Sequence, residues 1–186
     1  AAVYTGPGVI EFQDYPDPEM TDGLLLRVKA CGVCATDVKA FLGHRHGMKP
    51  PMILGHEFAG EVEQSNVPGF AVGDRVSAAP YAGCGECQLC LSGHEELCSR
   101  KVFISSGAFA ERVSIPAELV RKTAWKIPED VTWEDAALAE PLACCILALS
   151  ACHWKPGKTL MLAGAGVMGM LLVELARAWG ATRIQK

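Results

Sequence analysis

Pro80-Tyr-Ala-Gly-Cys-Gly-Glu-Cys-Gln-Leu-Cys-Leu-Ser-Gly-His-Glu-Glu-Leu-Cys-Ser99 holds four cysteines, Cys84, Cys87, Cys90 and Cys98, spaced C-x2-C-x2-C-x7-C. Thiolates this close along a chain can converge on one soft cation, and four of them make a closed tetrahedral zinc shell. Two rival uses fit less well. A disulfide knot suits a small secreted chain, but no signal-peptide pattern is read here and the nine cysteines are an odd number. Bacterial ferredoxins use C-x2-C-x2-C-x3-C-P for an iron–sulfur cluster; here the last gap is longer, and Ser99 follows Cys98 where that pattern has proline. Structural zinc is the expectation for Cys84, Cys87, Cys90 and Cys98. A closed four-thiolate shell has no open position, so it predicts folding, and the chemistry has to be sought elsewhere.

The bulk numbers bound that search. A chain of 186 residues makes one domain, or one domain and part of another. Half the residues are hydrophobic and a fifth are charged, which allows a sizeable core. A net charge of −4 leaves no basic footprint for nucleic acid. No apolar run is long enough to cross a bilayer. Nine cysteines without a secretory pattern imply a reducing, cytoplasmic compartment where thiols bind metal.

Outward from the cysteine lobe, the first eighty residues read as short strands and turns. Apolar runs at Leu24–Ala30, Phe58–Val62 and Arg75–Ala79 are separated by Gly, Pro, Asp and Asn. A short helix is expected near Thr36, with Thr36 as its cap and Asp37 in its first turn. After the lobe, 107–115 reads as a strand and Val120-Arg121 as another short one. Thr132 is the expected cap of a helix that carries Glu134 and Asp135 in its first turn. Near the end, 158–163 reads as a buried strand, Gly164-Ala-Gly-Val-Met-Gly169 as a glycine-rich turn, and Val167 onward as a helix closed by Gly180. A GxGxxG between strand and helix lets backbone approach a pyrophosphate at the helix N-terminus. Ala181-Thr-Arg-Ile184 begins a second strand.

Two further clusters carry polar groups that a plain core would not hold: Cys31-Gly-Val-Cys-Ala-Thr-Asp37 and Gly55-His-Glu57. Alone, Cys31 and Cys34 read as a redox pair lacking its usual surroundings, and His56 as a hydrogen-bonded histidine. Together, and in order, the motifs resemble the zinc-dependent medium-chain alcohol dehydrogenases, in their polyol and threonine dehydrogenase branch. The matching stretches are Ala30-Cys-Gly-Val-Cys-Ala-Thr-Asp37, Pro51-Met-Ile-Leu-Gly-His-Glu57, Phe70-Ala-Val-Gly-Asp-Arg-Val76, the cysteine lobe, Glu140-Pro-Leu142 and Gly164-Ala-Gly-Val-Met-Gly169.

That resemblance implies a mostly β GroES-like catalytic domain over 1–150, with the zinc lobe at 80–99, followed over 151–186 by the start of an α/β Rossmann nucleotide-binding domain. It implies Cys34, His56 and Glu140 as ligands of a catalytic zinc, giving two zinc ions per chain with the lobe. Asp37 would orient His56, Thr36 would hydrogen-bond the substrate oxygen, and Glu57 would approach the metal. Gly164, Gly166, Val167, Met168 and Gly169 would hold NAD or NADP. Many relatives carry a proton-relaying histidine where this chain has Lys39; His44 and His46 lie nearby and read first as a solvated turn. Cys144, Cys145 and Cys152 read as core thiols. The implied activity is hydride transfer between NAD(P) and a secondary alcohol, namely a polyol, sugar alcohol or amino alcohol. The implied assembly is a dimer or tetramer, and the sequence is expected to be an N-terminal portion of a longer enzyme. The alternative is a truncated, non-catalytic zinc-binding fragment.

Overall fold

The computed structural model describes residues 1–45 and 48–185, so His46 lies outside the described residues. The chain divides into two compact units, Ala1–Ala137 and Leu138–Lys186.

The first unit is built mostly from strands. β1 (Ala2–Gly6) and β2 (Val9–Phe12) form a hairpin. β3 (Gly23–Gly32) leads into α1 (Ala35–Phe41), β4 (Met52–Ile53), β5 (Glu57–Ser65) and β6 (Arg75–Ser77). The cysteine lobe follows, closed by β7 (Tyr81–Ala82) and β8 (Val102–Phe103), with the short helix α2 (Gln88–Leu91) and a 3-10 turn over Glu95–Leu97 between them. β9 (Arg112–Pro116), α3 (Ala117–Thr123), β10 (Trp125–Lys126) and α4 (Trp133–Ala137) complete it.

The main sheet has five strands in the order β10-β6-β5-β3-β9. β3 sits inside it, and its Leu24, Leu25 and Leu26 are all buried, as a strand covered on both faces requires. Leu24 and Leu26 form the main core with Phe58, Val62, Val76, Val113, Ile115 and Leu119. β3 and β5 run antiparallel, and their register sets Gly32 opposite Glu57 and Cys31 opposite Phe58. Two polar clusters separated by some twenty residues of sequence therefore become cross-strand neighbours. The ladder is irregular between Val28 and Ala30. There a Cβ on Gly60 would meet the Arg27 carbonyl oxygen at 2.6 Å, so only glycine fits.

Three local expectations are corrected. α1 is capped by Cys34, not Thr36: the Asp37 carboxylate accepts the Cys34 N–H, which completes a capping box three residues into the helix. Val120 and Arg121 lie in helix α3, not in a strand. Good helix formers follow Pro116 there, Leu119 and Val120 are buried on the core side, and Glu118 pairs with Lys122 one turn on at 2.8 Å. The expected strand over 107–115 is regular only from Arg112. At α4 the expected cap is present, with the Asp135 N–H donating to Thr132 Oγ1 at 3.0 Å.

The second unit holds α5 (Ala139–Ala151), β11 (Thr159–Met161), α6 (Val167–Ala178) and β12 (Arg183–Gln185). β11 and β12 pair in parallel around the crossover helix α6. Cys145 and Leu149 of α5 pack with Leu175 and Ala176 of α6. That contact explains why the compact division falls before α5, ahead of the 150/151 boundary expected from the sequence. Of the three thiols expected in the core only Cys145 is buried; Cys144 and Cys152 are exposed. Adjacent helical residues are turned about 100° apart, so Cys144 and Cys145 cannot share one face. Among the described residues no helix is long and apolar enough to cross a membrane.

Phe58 is 1% exposed at the centre of the main core, whereas Phe12 is 89% exposed. Phe58→Ala is expected to lower unfolding stability by about 3–5 kcal/mol and Phe12→Ala by less than about 0.5 kcal/mol, read from urea denaturation.

Candidate metal centres

The chain leaves β3 at Gly32 and turns into α1, and it enters β5 through Gly55 and His56. Asp37 fastens these two passages together. Its carboxylate accepts the Cys34 N–H at 3.0 Å through Oδ2 and the Gly55 N–H at 3.2 Å through Oδ1. Oδ1 also lies 3.6 Å from His56 Nδ1. Burial pushes the Asp37 carboxyl up, but hydrogen bonds from His56, Cys34 and Gly55 together hold it below the usual carboxylate range. The Asp37 contact in turn raises His56 to about 9, over the opposing effect of burial.

With Nδ1 turned to Asp37, the other ring nitrogen faces inward. The Cys34 sulfur, a His56 ring nitrogen and a Glu57 carboxylate oxygen all lie within 4.8 Å of one another. Glu57 is buried at 6% exposed, and its carboxylate occupies the space that any side chain on Gly32 would need. Thr36 Oγ1 stands 3.4 Å from His56 Nε2. Thiolate, imidazole and carboxylate form a donor set that zinc accepts, and ligation requires the imidazole to give up its proton. Cys31 is not among the groups that converge with Cys34, and burial first, then the Asp37 charge, push its thiol up to about 12.

The lobe brings Cys84, Cys87, Cys90 and Cys98 together. The sulfurs of Cys87 and Cys90 are 3.4 Å apart, those of Cys87 and Cys98 3.8 Å, and those of Cys84 and Cys90 3.9 Å. Disulfide sulfurs sit at about 2.05 Å. Four sulfurs at about 2.3 Å from one tetrahedral ion stand about 3.8 Å apart. An iron–sulfur cluster divides its thiolates over two or four irons and so sets some of them farther apart than these four, which all lie within 4.8 Å of one another. The separations fit one zinc-sized ion. The sulfurs also compete for protons. The Glu86 N–H pulls Cys84 down to about 6. Cys90 is pushed up to about 12: the Gly85 N–H pulls it down, but burial and the neighbouring cysteines outweigh it. A shared cation would resolve that competition.

The remaining predicted residues are placed as follows. Glu140 occupies the first turn of α5, in the second unit. Lys39, on α1, and His44, just past its end, are both exposed. Gly164, with φ at 109°, and Gly166, at the N-cap of α6, shape the turn ahead of Val167, Met168 and Gly169. Two residues around the lobe carry no signal in the cysteine spacing. Arg100 donates to the Cys84 sulfur at 3.4 Å, and Lys122 of α3 donates to the Gly83 carbonyl at 2.8 Å and the Cys84 carbonyl at 3.1 Å.

Residues 21–129 match the alcohol dehydrogenase GroES-like domain model. The chain belongs to that family. Among curated relatives of this GroES-like chain, the sorbitol dehydrogenase of Bacillus subtilis (strain 168) is 34% identical, the match covering 99% of this chain and 54% of that protein. Among solved structures, a candidate zinc-binding dehydrogenase of Sinorhizobium meliloti 1021 bound to NADP is 37% identical with a TM-score of 0.88, over 99% of this chain and 54% of that one. Galactitol-1-phosphate dehydrogenase of Escherichia coli is 29% identical with a TM-score of 0.86, over 98% and 54%. The chain thus spans about half the length of the relatives it matches.

Asp37→Ala strands two N–H groups, those of Cys34 and Gly55, and removes the partner of His56. It is expected to lower stability by about 2–4 kcal/mol in chemical denaturation.

Proposed function

We propose that this chain belongs to a zinc-dependent oxidoreductase that moves a hydride between NAD or NADP and a secondary alcohol, of the polyol, sugar-alcohol or amino-alcohol class. The observation that carries the reading is the convergence of Cys34, His56 and Glu57 on one point, with Asp37 buried behind the imidazole and the Thr36 hydroxyl in front of it. The polyol dehydrogenases among the relatives support the substrate class, and the relative bound to NADP supports the nucleotide.

Zinc bound at this point supplies a Lewis acid that lowers the pKa of an alcohol oxygen. Cys34 and His56 would hold it, with Glu57 able to join them; the family resemblance adds Glu140 as a further ligand. Asp37 fixes the His56 tautomer by occupying Nδ1, which leaves Nε2 for the metal. Thr36 would accept a hydrogen bond from the substrate hydroxyl and take up its proton while passing its own hydroxyl proton on toward solvent, as the hydride goes from the carbinol carbon to the nicotinamide. Lys39 stands where many relatives carry a relaying histidine, so the proton's onward path to solvent differs here. The Gly164–Gly169 turn and the N-terminus of α6 would receive the pyrophosphate. A second zinc in the cysteine lobe has a structural role. Assembly as a dimer or tetramer and a reducing, cytoplasmic setting belong to the same proposal.

The rival reading is a zinc-binding chain without turnover. Elemental analysis separates the two. Two zinc ions per chain are expected, falling to one in Cys34→Ser with His56→Ala and, separately, to one in Cys98→Ala. A count of one in the unmodified protein would sink the catalytic centre. With a panel of polyols, reduction of NAD or NADP is expected; Thr36→Val should then lower kcat about 10²- to 10⁴-fold while zinc content stays the same.

A further inference from the structure

Four thiolates around a divalent cation carry two surplus negative charges, and the lobe adds Glu86, Glu95 and Glu96. Such a site needs positive partners to keep its metal. Among the described residues, the one side-chain cation bonded to a cluster sulfur belongs to Arg100. Its guanidinium donates to Cys84 Sγ at 3.4 Å, and its backbone N–H donates to Cys98 Sγ at 3.3 Å. One residue thus binds the first and the last ligand of the loop.

The four ligands are not equally protected. Cys90 and Cys98 are buried, whereas Cys84 and Cys87 are only half-buried. Metal release starts when a thiolate leaves the ion, and solvent reaches the half-buried sulfurs of Cys84 and Cys87 before the buried pair. At Cys84 the guanidinium hydrogen bond holds the sulfur in place and offsets part of the surplus negative charge. Glu86 pulls on the same guanidinium, 2.7 Å from Nη1, and competes with the sulfur for it. Lys122 holds the backbone beneath through the Gly83 and Cys84 carbonyls, with Glu118 as its counter-ion.

We infer that Arg100 is a positioning residue of the lobe's metal site, which sets the rate of metal loss through its contact with the Cys84 sulfur. The inference rests on the lobe holding a metal, and the test tells the two apart. The protein is loaded with cobalt in place of zinc, because four thiolates give an intense sulfur-to-metal absorption that the single thiolate of Cys34 cannot match. Excess EDTA is added and the decay of that absorption is timed. Arg100→Gln should accelerate the decay on the order of tenfold, the scale of one charge-assisted hydrogen bond at a partly exposed site. Arg100→Lys keeps the charge without the fork and should fall between Arg100→Gln and the unmodified protein. Glu86→Gln frees the guanidinium for sulfur and should release cobalt no faster than the unmodified protein. Equal rates for Arg100→Gln and the unmodified protein would overturn the inference, as would a Glu86→Gln rate matching that of Arg100→Gln. Absence of the absorption on loading would overturn the metal reading itself and the inference with it. Should Arg100→Gln not fold, Arg100→Lys and Glu86→Gln still decide the question.

Discussion

A single buried carboxylate constrains the candidate active region more than any other group. Asp37 has 6% of its surface exposed, and a charge so placed must be fully partnered. Its partners are the Cys34 N–H, the Gly55 N–H and the His56 ring, which come from two passages of chain brought together by the β3–β5 register. The same carboxylate therefore starts a helix, joins two loops and turns an imidazole. These duties cannot be separated. α1 has to begin at Cys34 because the acid three residues on is the one that reaches back, and that choice releases the Thr36 hydroxyl to face His56. A cap at Thr36 would have used the hydroxyl locally and left the imidazole without it.

The two metal centres are assembled by opposite routes. The trio of Cys34, His56 and Glu57 depends on a long-range sheet register above a deep apolar core, so those residues come together whether or not an ion is bound. The lobe has little of its own to bury. Leu91 is 76% exposed, Leu97 61% and Phe103 57%, and the closing strands are two residues each. An excursion of this size is poorly supported by apolar burial alone, and a four-coordinate ion would take the place of a core. The Lys122 clamp from α3 ties the loop to the main unit at its backbone, and Arg100 covers one of its two half-buried sulfurs.

This contrast explains what could be read before the fold was known. The lobe was legible because its ligands are neighbours in sequence and tetrahedral coordination dictates their spacing. The trio was not legible from spacing, since nothing local announces that Cys31 will oppose Phe58; only the ordered likeness to a family linked those clusters. The local errors share a cause. Thr36 is a better intrinsic cap than cysteine, Val120 favours strands, and Cys144 looks as apolar as Cys145. In each case a partner overrode the preference: the nearby Asp37 for the cap, the core beneath α3 for Val120, and the packing of α5 on α6 for the two thiols. Arg100 and Lys122 escaped notice because exposed basic residues are common, and only the fold sets them against sulfur and carbonyl.

The glycines of the second unit separate what the chain needs for itself from what it holds for a ligand. Gly164 has φ at 109°, a conformation that side chains resist. A Cβ on Gly169 would meet the Gly164 carbonyl oxygen at 2.5 Å, so the helix can approach the turn only if that position is bare. Both glycines are thus explained by the fold. Gly166 is not: its φ of −72° is open to any residue, and a Cβ there would meet nothing within 4 Å. The chain gains no packing and loses conformational entropy by keeping glycine at the N-cap of α6. The missing side chain leaves the first N–H groups of the helix open from that side, and an anion pressed against the helix N-terminus makes use of that opening. The glycine that packing does not require is therefore the one that best fits the proposed nucleotide site.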